Sequence, residues 1–421
     1  MINKLMIRIR GYEFKRPCAV KIIWLIKLMR GLLAKKFYFT LLILVLHMAS
    51  ISFAVDAIAE PSTENYSDTL HVGVVGDTGV GERAYHPGFI AVAKALKNHR
   101  PDLLLHLGDF VYQPKIFPKA CPERHLPEIK KTLADPFKFK LFVPGDNDLP
   151  PNKKKPKGSG CWKKIDEMDS NFDSYPTSTD EPRIYEGTMI IGNTFFAILN
   201  TYPWEDPTAW LGPRIKKAKN QGLWTIIALH EPPITTAWYL EKRDTVLKQL
   251  TALKPDLVFA GNQHSYERFH QIKEPKQDGS IPFVPSKSGD YLKGDGTIFV
   301  VSGGGGAYFR PFADQQGLKK RTAPKAVFNA LATRALMNHF LILKIGQEKL
   351  QATTYRVCLE KNTKDKKNPR WKPDKPIWDS ITLECEGQKP GVTAFDQFQI
   401  QLKKESTLKD KTNSDQLSLR N

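Results

Sequence analysis

The chain has 421 residues, 41% hydrophobic and 25% charged, a composition that excludes a disordered or collagen-like polymer and accommodates one large domain or two ordinary ones. Its formal charge of +19 is not a nucleic-acid signature: residues 1–54 hold ten Lys/Arg against one Glu, and 55–421 hold 53 basic and 43 acidic residues. The remaining surplus of +10 gathers in the Lys runs 153–157 and 361–376, with no nucleic-acid motif beside them, and suggests attraction for an anionic substrate at most.

The first element is a leader, residues 1–54. Within 29–57 (MRGLLAKKFYFTLLILVLHMASISFAVDA), Arg30, Lys35 and Lys36 precede an apolar run from Phe37 to Leu46 and the small-x-small triplet Ser52-Phe53-Ala54. This is the order of a cleavable secretory signal. The apolar run falls short of the ~20 residues of a membrane span, so cleavage is expected and an uncleaved anchor is the alternative. The reading is an exported protein, periplasmic or secreted, touching a membrane only transiently through this segment. Met29 is a candidate start. Beyond Cys18 in the leader, Cys121, Cys161, Cys358 and Cys385 make an even set for a disulfide-permissive compartment. Three pairings are possible, and the local one, Cys121–Cys161 with Cys358–Cys385, is expected. No CxxC or Cys/His spacing points to structural zinc.

From residue 69 short apolar runs recur: TLHVGVVGD, PDLLLHLGD, FKLFVPGD, TIIALHE, PDLVFAGN and TIFVVSGGGG. Helix-like segments lie between them at 88–99, 212–221 and 242–253. Buried strands alternating with amphipathic helices indicate an α/β layer architecture. Residues 189–200 and 340–357 read as hairpins, which favours a sandwich of two mixed sheets over a purely doubly wound sheet. The predicted organisation is one domain over 69–360, a Lys/Pro-rich loop and C-terminal extension of that domain over 361–402, and a polar tail over 403–421.

Polar residues follow each of these runs, where a sheet holds side chains still. The strand ends read GDTG (76–79), GDFVY (108–112), GDND (145–148), IALH (227–230) and GNQH (261–264). Each Gly-Asp alone is a common turn dipeptide, and His264 alone is equally an ordinary loop histidine. Together they bring Asp77, Asp109, Tyr112, Asp146, His230, Asn262 and His264 to one edge. Carboxylates mixed with imidazoles suit transition ions such as Fe, Mn or Zn, and two such ions roughly 3.5–4 Å apart are a recurrent device for phosphate-ester hydrolysis.

The order of these motifs resembles GDxG, GDxxY, GN[HX][DE], VxxH, GHxH of the purple acid phosphatases, a branch of the calcineurin-like metallophosphoesterases. The resemblance spans about residues 70–310. It implies a four-layer αββα sandwich with a dinuclear site at the strand ends and hydrolysis of phosphomonoesters by a metal-bound hydroxide. Carried over position by position, it implies that Asp77, Tyr112 and His264 hold the first metal, Asp109 bridges, and His230 binds the second. Gly79 stands where many relatives place a histidine. Tyr112 fills that vacancy, and a tyrosinate favours ferric iron.

Three positions depart from the pattern: Asp146 for Asn, Asn147 for His, and Asn262 for the first His of GHxH. The second metal is therefore expected to meet Asp109, Asp146, His230 and Asn262, an oxygen-rich set suited to Mn, Mg or Fe as well as Zn. Asn147 has no acidic proton to give a leaving group, a function typically worth ~10²–10⁴ in rate, although its amide can still hydrogen-bond a phosphoryl oxygen. Asp148 is a candidate replacement acid.

His106 reads as a buried strand histidine, His86 and His125 as surface ones, and Glu267–Arg268 as an ion pair bracing the loop. SGGGGA (302–307) lacks the Lys-Ser/Thr of a P-loop and reads as a tight backbone passage. Trp204 and Trp238 are candidates for a substrate wall or for core. The sequence reading is an exported dinuclear phosphatase acting on a phosphorylated small molecule or protein, with a phosphodiesterase, or a catalytically weak secreted binding protein, as its alternatives.

Overall fold

The computed structural model describes residues 69–81, 86–112, 121, 123–149, 160–168, 173–174, 186–309, 311–360, 385 and 389–403. All of them belong to the compact unit Pro61–Asn421. The leader, the Lys runs at 153–157 and 361–376 and the tail beyond 403 lie outside the described residues. Among the described residues no helix is long and apolar enough to cross a membrane.

Two mixed sheets form the centre of the fold. The seven-stranded sheet runs in the order Asp290–Leu292, Gly391–Gln401, Lys349–Cys358, His339–Ile345, Leu70–Val75, Leu103–His106, Phe139–Phe142. The nine-stranded sheet runs Phe283–Val284, Tyr266–Ile272, Thr297–Ser302, Leu257–Ala260, Trp224–Leu229, Thr194–Ile198, Gly187–Ile191, Asp173–Ser174, with Leu331–Ala335 paired to Tyr266–Ile272. The last three strands of the first sheet pair in parallel. So do Thr194–Ile198, Trp224–Leu229, Leu257–Ala260 and Thr297–Ser302 in the second. Each sheet therefore ends several strands on the same side.

Strand alternation explains the layering. In Leu70–Val75, Leu70, Val72 and Val74 enter the core between the sheets, beside Leu103, Leu105, Phe196, Ile226, Phe259 and Val300. The opposite face puts Val75 with Leu104 and Phe142 against Phe89, Val92 and Leu96 of the helix His86–Asn98 and against Leu126, Ile129 and Leu133. On the far sheet, helix Thr208–Asn220 packs on Trp224–Leu229 and on helix Arg243–Leu253. Sheets buried on both faces require such continuous apolar runs. The result is the α/β sandwich of two mixed sheets expected from the sequence.

The helix expected over 212–221 begins earlier, at Thr208, with Pro213 inside it. Its buried residues Leu211, Ile215 and Ala218 lie on one face across the proline, and the Arg214 guanidinium donates to the Trp210 carbonyl at 2.8 Å. Burial of that stripe outweighs the interior proline. The segments 187–198 and 339–358 are hairpins. The strand Gly391–Gln401 pairs along Lys349–Cys358, and disulfides join Cys121 to Cys161 and Cys358 to Cys385.

Candidate metal centre

The strand ends converge. From the first sheet come Asp77, Asp109 with Tyr112, and Asp146; from the second come His230, Asn262 and His264. Asp77, Asp109 and Asn262, each following a glycine, have φ of 56°, 58° and 61°. This left-handed turn costs L-residues about 1–2 kcal/mol and is best tolerated by Asp and Asn. It throws each side chain back over the strand end. Side-chain atoms of Asp77, Asp109 and His230 lie within 4.8 Å of one another, all three buried.

One half of the centre is built by the pairing of two motifs. Gly79 donates its N–H to the Asp109 carbonyl at 3.1 Å, and a Cβ at position 79 would sit 2.1 Å from the Phe110 carbonyl oxygen. Only glycine lets Val80–Gly81 pair alongside Val111–Tyr112. That pairing delivers the Tyr112 hydroxyl to 3.2 Å from Asp77 Oδ1 and 3.2 Å from His264 Nε2. His264 Nε2 is 3.4 Å from Asp77 Oδ1, while its Nδ1 lies 2.5 Å from the Tyr308 carbonyl.

The other half repeats this histidine geometry. His230 Nδ1 lies 2.6 Å from the Leu107 carbonyl, to which it donates. Its Nε2 then carries a lone pair, 3.4 Å from Asp109 Oδ1 and 3.6 Å from Asp146 Oδ1, and this buried nitrogen has no hydrogen-bond partner. These separations exceed an N–H···O bond of roughly 2.7–3.2 Å but suit donors sharing an ion roughly 2.0–2.2 Å from each. A backbone carbonyl fixing the far nitrogen is how proteins orient a ligating imidazole. Asn262 donates its backbone N–H to Asp77 Oδ2 at 2.9 Å and its Nδ2 to the Tyr202 hydroxyl at 3.1 Å.

The electrostatics agree. Burial would raise Asp109, yet the charge of His230 and two hydrogen bonds from Asn147 hold it down at about 2. Burial would lower His230, but the Asp109 carboxylate and Asp146 lift it well above its ordinary range. Burial pushes Asp77 up against the pull of His264. A lone pair so favoured by facing carboxylates for a proton is equally favoured for a cation. The donor set fits metal ions, with Asp77, Tyr112 and His264 on one side, His230, Asp146 and Asn262 on the other, and Asp109 between.

Two expected catalytic residues are placed otherwise. Asn147 gives its backbone N–H to Asp109 Oδ1 at 3.0 Å and its Nδ2 to Asp109 Oδ2 at 2.8 Å. Its amide braces that carboxylate instead of facing a leaving group. Asp148 is fully buried and accepts the backbone N–H groups of Asp109, Phe110, Val111 and Gly145 at 2.8–3.2 Å. Both oxygens are committed to backbone, so Asp148 holds two motif loops together and is not positioned as an acid.

The expected Glu267–Arg268 ion pair is also corrected. Glu267 accepts from the Thr235 hydroxyl and from the Thr236 N–H and hydroxyl, while Arg268 makes a two-pronged contact with Asp396 at 2.6 and 2.9 Å. Adjacent residues on a strand face opposite ways. The glycine run is a backbone passage: Gly305 N–H donates to Gly76 O and Ala307 N–H to Asp77 O. His106 is buried against Phe110 and 2.6 Å from the Thr78 hydroxyl, and His86 meets Glu128 at 2.8 Å. Trp204 donates to Gln249, and Trp238 is exposed beneath Arg321.

Fold and centre together form a two-sheet α/β sandwich with a buried Asp/Asp/His group at its strand ends that could hold a metal ion. Residues 70–266 match the calcineurin-like phosphoesterase family. Among solved structures, a purple acid phosphatase from seeds of yellow lupin (Lupinus luteus) is similar at 15% identity and a TM-score of 0.54, over 80% of this chain and 54% of that one. The likeness is one of fold, and this chain spans about half the lupin protein's length. PhoD (10% identity, TM-score 0.49, 81% of this chain, 71% of that one) and a dimetal phosphatase from Danio rerio (10%, 0.35, 68% and 95%) are more distant. No curated protein sequence matches the chain.

Proposed function

We propose that the chain is an exported phosphatase that hydrolyses phosphomonoesters at a two-metal centre. One observation carries this reading. Two buried histidines at strand ends of the nine-stranded sheet anchor Nδ1 on backbone carbonyls and turn Nε2 toward carboxylates at strand ends of the seven-stranded sheet. Two ions held there supply positive charge to the phosphoryl oxygens and lower the pKa of a water. The chain's own residues do the rest. Asp109, braced by Asn147, keeps the two halves in register. Asp146, with its side chain 44% exposed, and the half-buried Asn262 leave the second half open to solvent. Substrate approaches from that side. Tyr112, beside Asp77 and His264, supports iron in the first half, and the oxygen-rich second half supports Mn, Mg, Fe or Zn. The leader and the two disulfides support export.

A second reading rests on Asn147. With its amide on Asp109 and Asp148 on backbone, neither supplies a proton to a leaving group, which fits a catalytically weak binding protein. The test is hydrolysis of aryl phosphate mono- and diesters by purified mature protein, before and after chelation and metal return. Metal-dependent cleavage of the monoester, steeply dependent on leaving-group acidity, is expected. Preference for the diester would make it a phosphodiesterase, and no cleavage of either would leave the binding protein.

A further inference from the structure

We infer that Tyr202 is a positioning residue of the second half of the centre: its hydroxyl takes the Nδ2–H of Asn262 and so turns the Asn262 amide oxygen toward the cation. The inference rests on the two-metal reading above and concerns why an asparagine serves at this position.

An amide has a donor end and an acceptor end of nearly equal shape, and only the acceptor end binds a cation. Histidine or carboxylate ligands are oriented by other means; an asparagine needs something to choose its end. The Asn262 backbone is fixed by the N–H bond to Asp77 Oδ2 and by its left-handed turn, so the choice falls on the side chain. Nδ2 lies 3.1 Å from the Tyr202 oxygen. The Tyr202 hydroxyl has a lone pair to accept that N–H.

Tyr202 is itself held firmly. Asn200 Oδ1 accepts the Tyr202 N–H at 2.9 Å, Asn200 Nδ2 donates to the Tyr202 carbonyl at 3.3 Å, and Glu186 Oε1 accepts the Asn200 N–H at 3.2 Å. A bridge between Thr201 and Trp204 closes the loop. The ring packs on the core beneath the first sheet and stands 6.0 Å from the His230 ring. Both ends of this residue are fixed, and its hydroxyl points at the one ligand that has two faces to offer. Tyr202→Phe keeps the ring and removes only the hydroxyl.

The test is calorimetric titration of chelated mature protein with Mn²⁺, on wild type, Tyr202→Phe, Asn262→Asp and the double variant, with melting temperature recorded for each. Wild type should bind two ions. Tyr202→Phe should weaken the second by ~10–100-fold, the usual effect of losing a partner that orients a ligand, and leave the first unchanged. In the Asn262→Asp background both side-chain oxygens can ligate, so adding Tyr202→Phe should change second-ion affinity by no more than about threefold, since a hydroxyl donated to a carboxylate competes with the ion. Two ions at wild-type affinity in Tyr202→Phe, or an equal loss in both backgrounds, would overturn the inference and leave the two-metal reading standing. A wild type that binds a single ion would overturn both, and shows itself before any variant is made.

Discussion

The two halves of the centre differ in closure. Asp77, Tyr112 and His264 are 0%, 1% and 4% exposed, and each is held by backbone or by another ligand. Across Asp109, the His230 side chain is equally buried, but Asp146 is 44% exposed and Asn262 and Tyr202 are half-buried. The closed half is part of the fold, since Asp77 also ties Asn262 and the glycine passage in place. The open half is the solvent-facing one, and it is where the departures from the family pattern, Asp146 and Asn262, are found. Exposed ligands can be exchanged without disturbing the sandwich; buried ones cannot.

The largest effect should come where the halves meet. Asp109→Asn should cost both ions more than ~100-fold in affinity and remove hydrolysis. Metal content after gel filtration checks it, and loss of one ion alone would mean that Asp109 serves a single half. Next, Asp148→Ala would leave four buried backbone N–H groups without their acceptor, and should cost about 3 kcal/mol or more of stability in denaturant unfolding. A stable variant that had lost only activity would restore Asp148 as an acid.

The closed half should also feel acid. His339 supports the glycine passage through the Ser302 hydroxyl at 3.0 Å, and burial lowers its imidazole to about 4. Between that value and the unfolded value near 6.5 the unfolded chain binds the extra proton. Stability is therefore present above about pH 6.5 and lost as pH falls toward 4, by about 2 kcal/mol at pH 5. His339→Gln should flatten that part of the stability–pH curve; an unchanged slope would place the titration elsewhere. The smallest effect belongs to the open half. Asn262→His should tighten the second site for Zn²⁺ relative to Mn²⁺ by about tenfold, with melting temperature unmoved. A melting temperature that fell would make position 262 part of the closed frame.

Much of this was legible in the sequence because the ligands lie immediately after apolar runs. Asp77, Asp109, His230 and His264 follow strands whose buried faces dictate their direction, and the two hairpins announced mixed sheets. What the sequence could not supply was the partner of each polar group. Asp148 reads as a candidate acid until four backbone N–H groups are seen on it, and Glu267 reads as the partner of Arg268 until Thr235, Thr236 and Asp396 take them apart. Tyr202 lies 60 residues before Asn262, and nothing in NTYPW marks that its hydroxyl reaches the centre. The strand Gly391–Gln401, which supplies Asp396, was hidden by alternating polar residues at the end of a sheet.

The measurement that bears most directly on two unequal halves is metal content during graded chelation of the purified protein. The account predicts two ions per chain, with the ion of the open half lost first, restored by Mn²⁺ or Mg²⁺ at least as productively as by Zn²⁺, and the ion of the closed half retained throughout. A single ion per chain, or two that leave together, would contradict it.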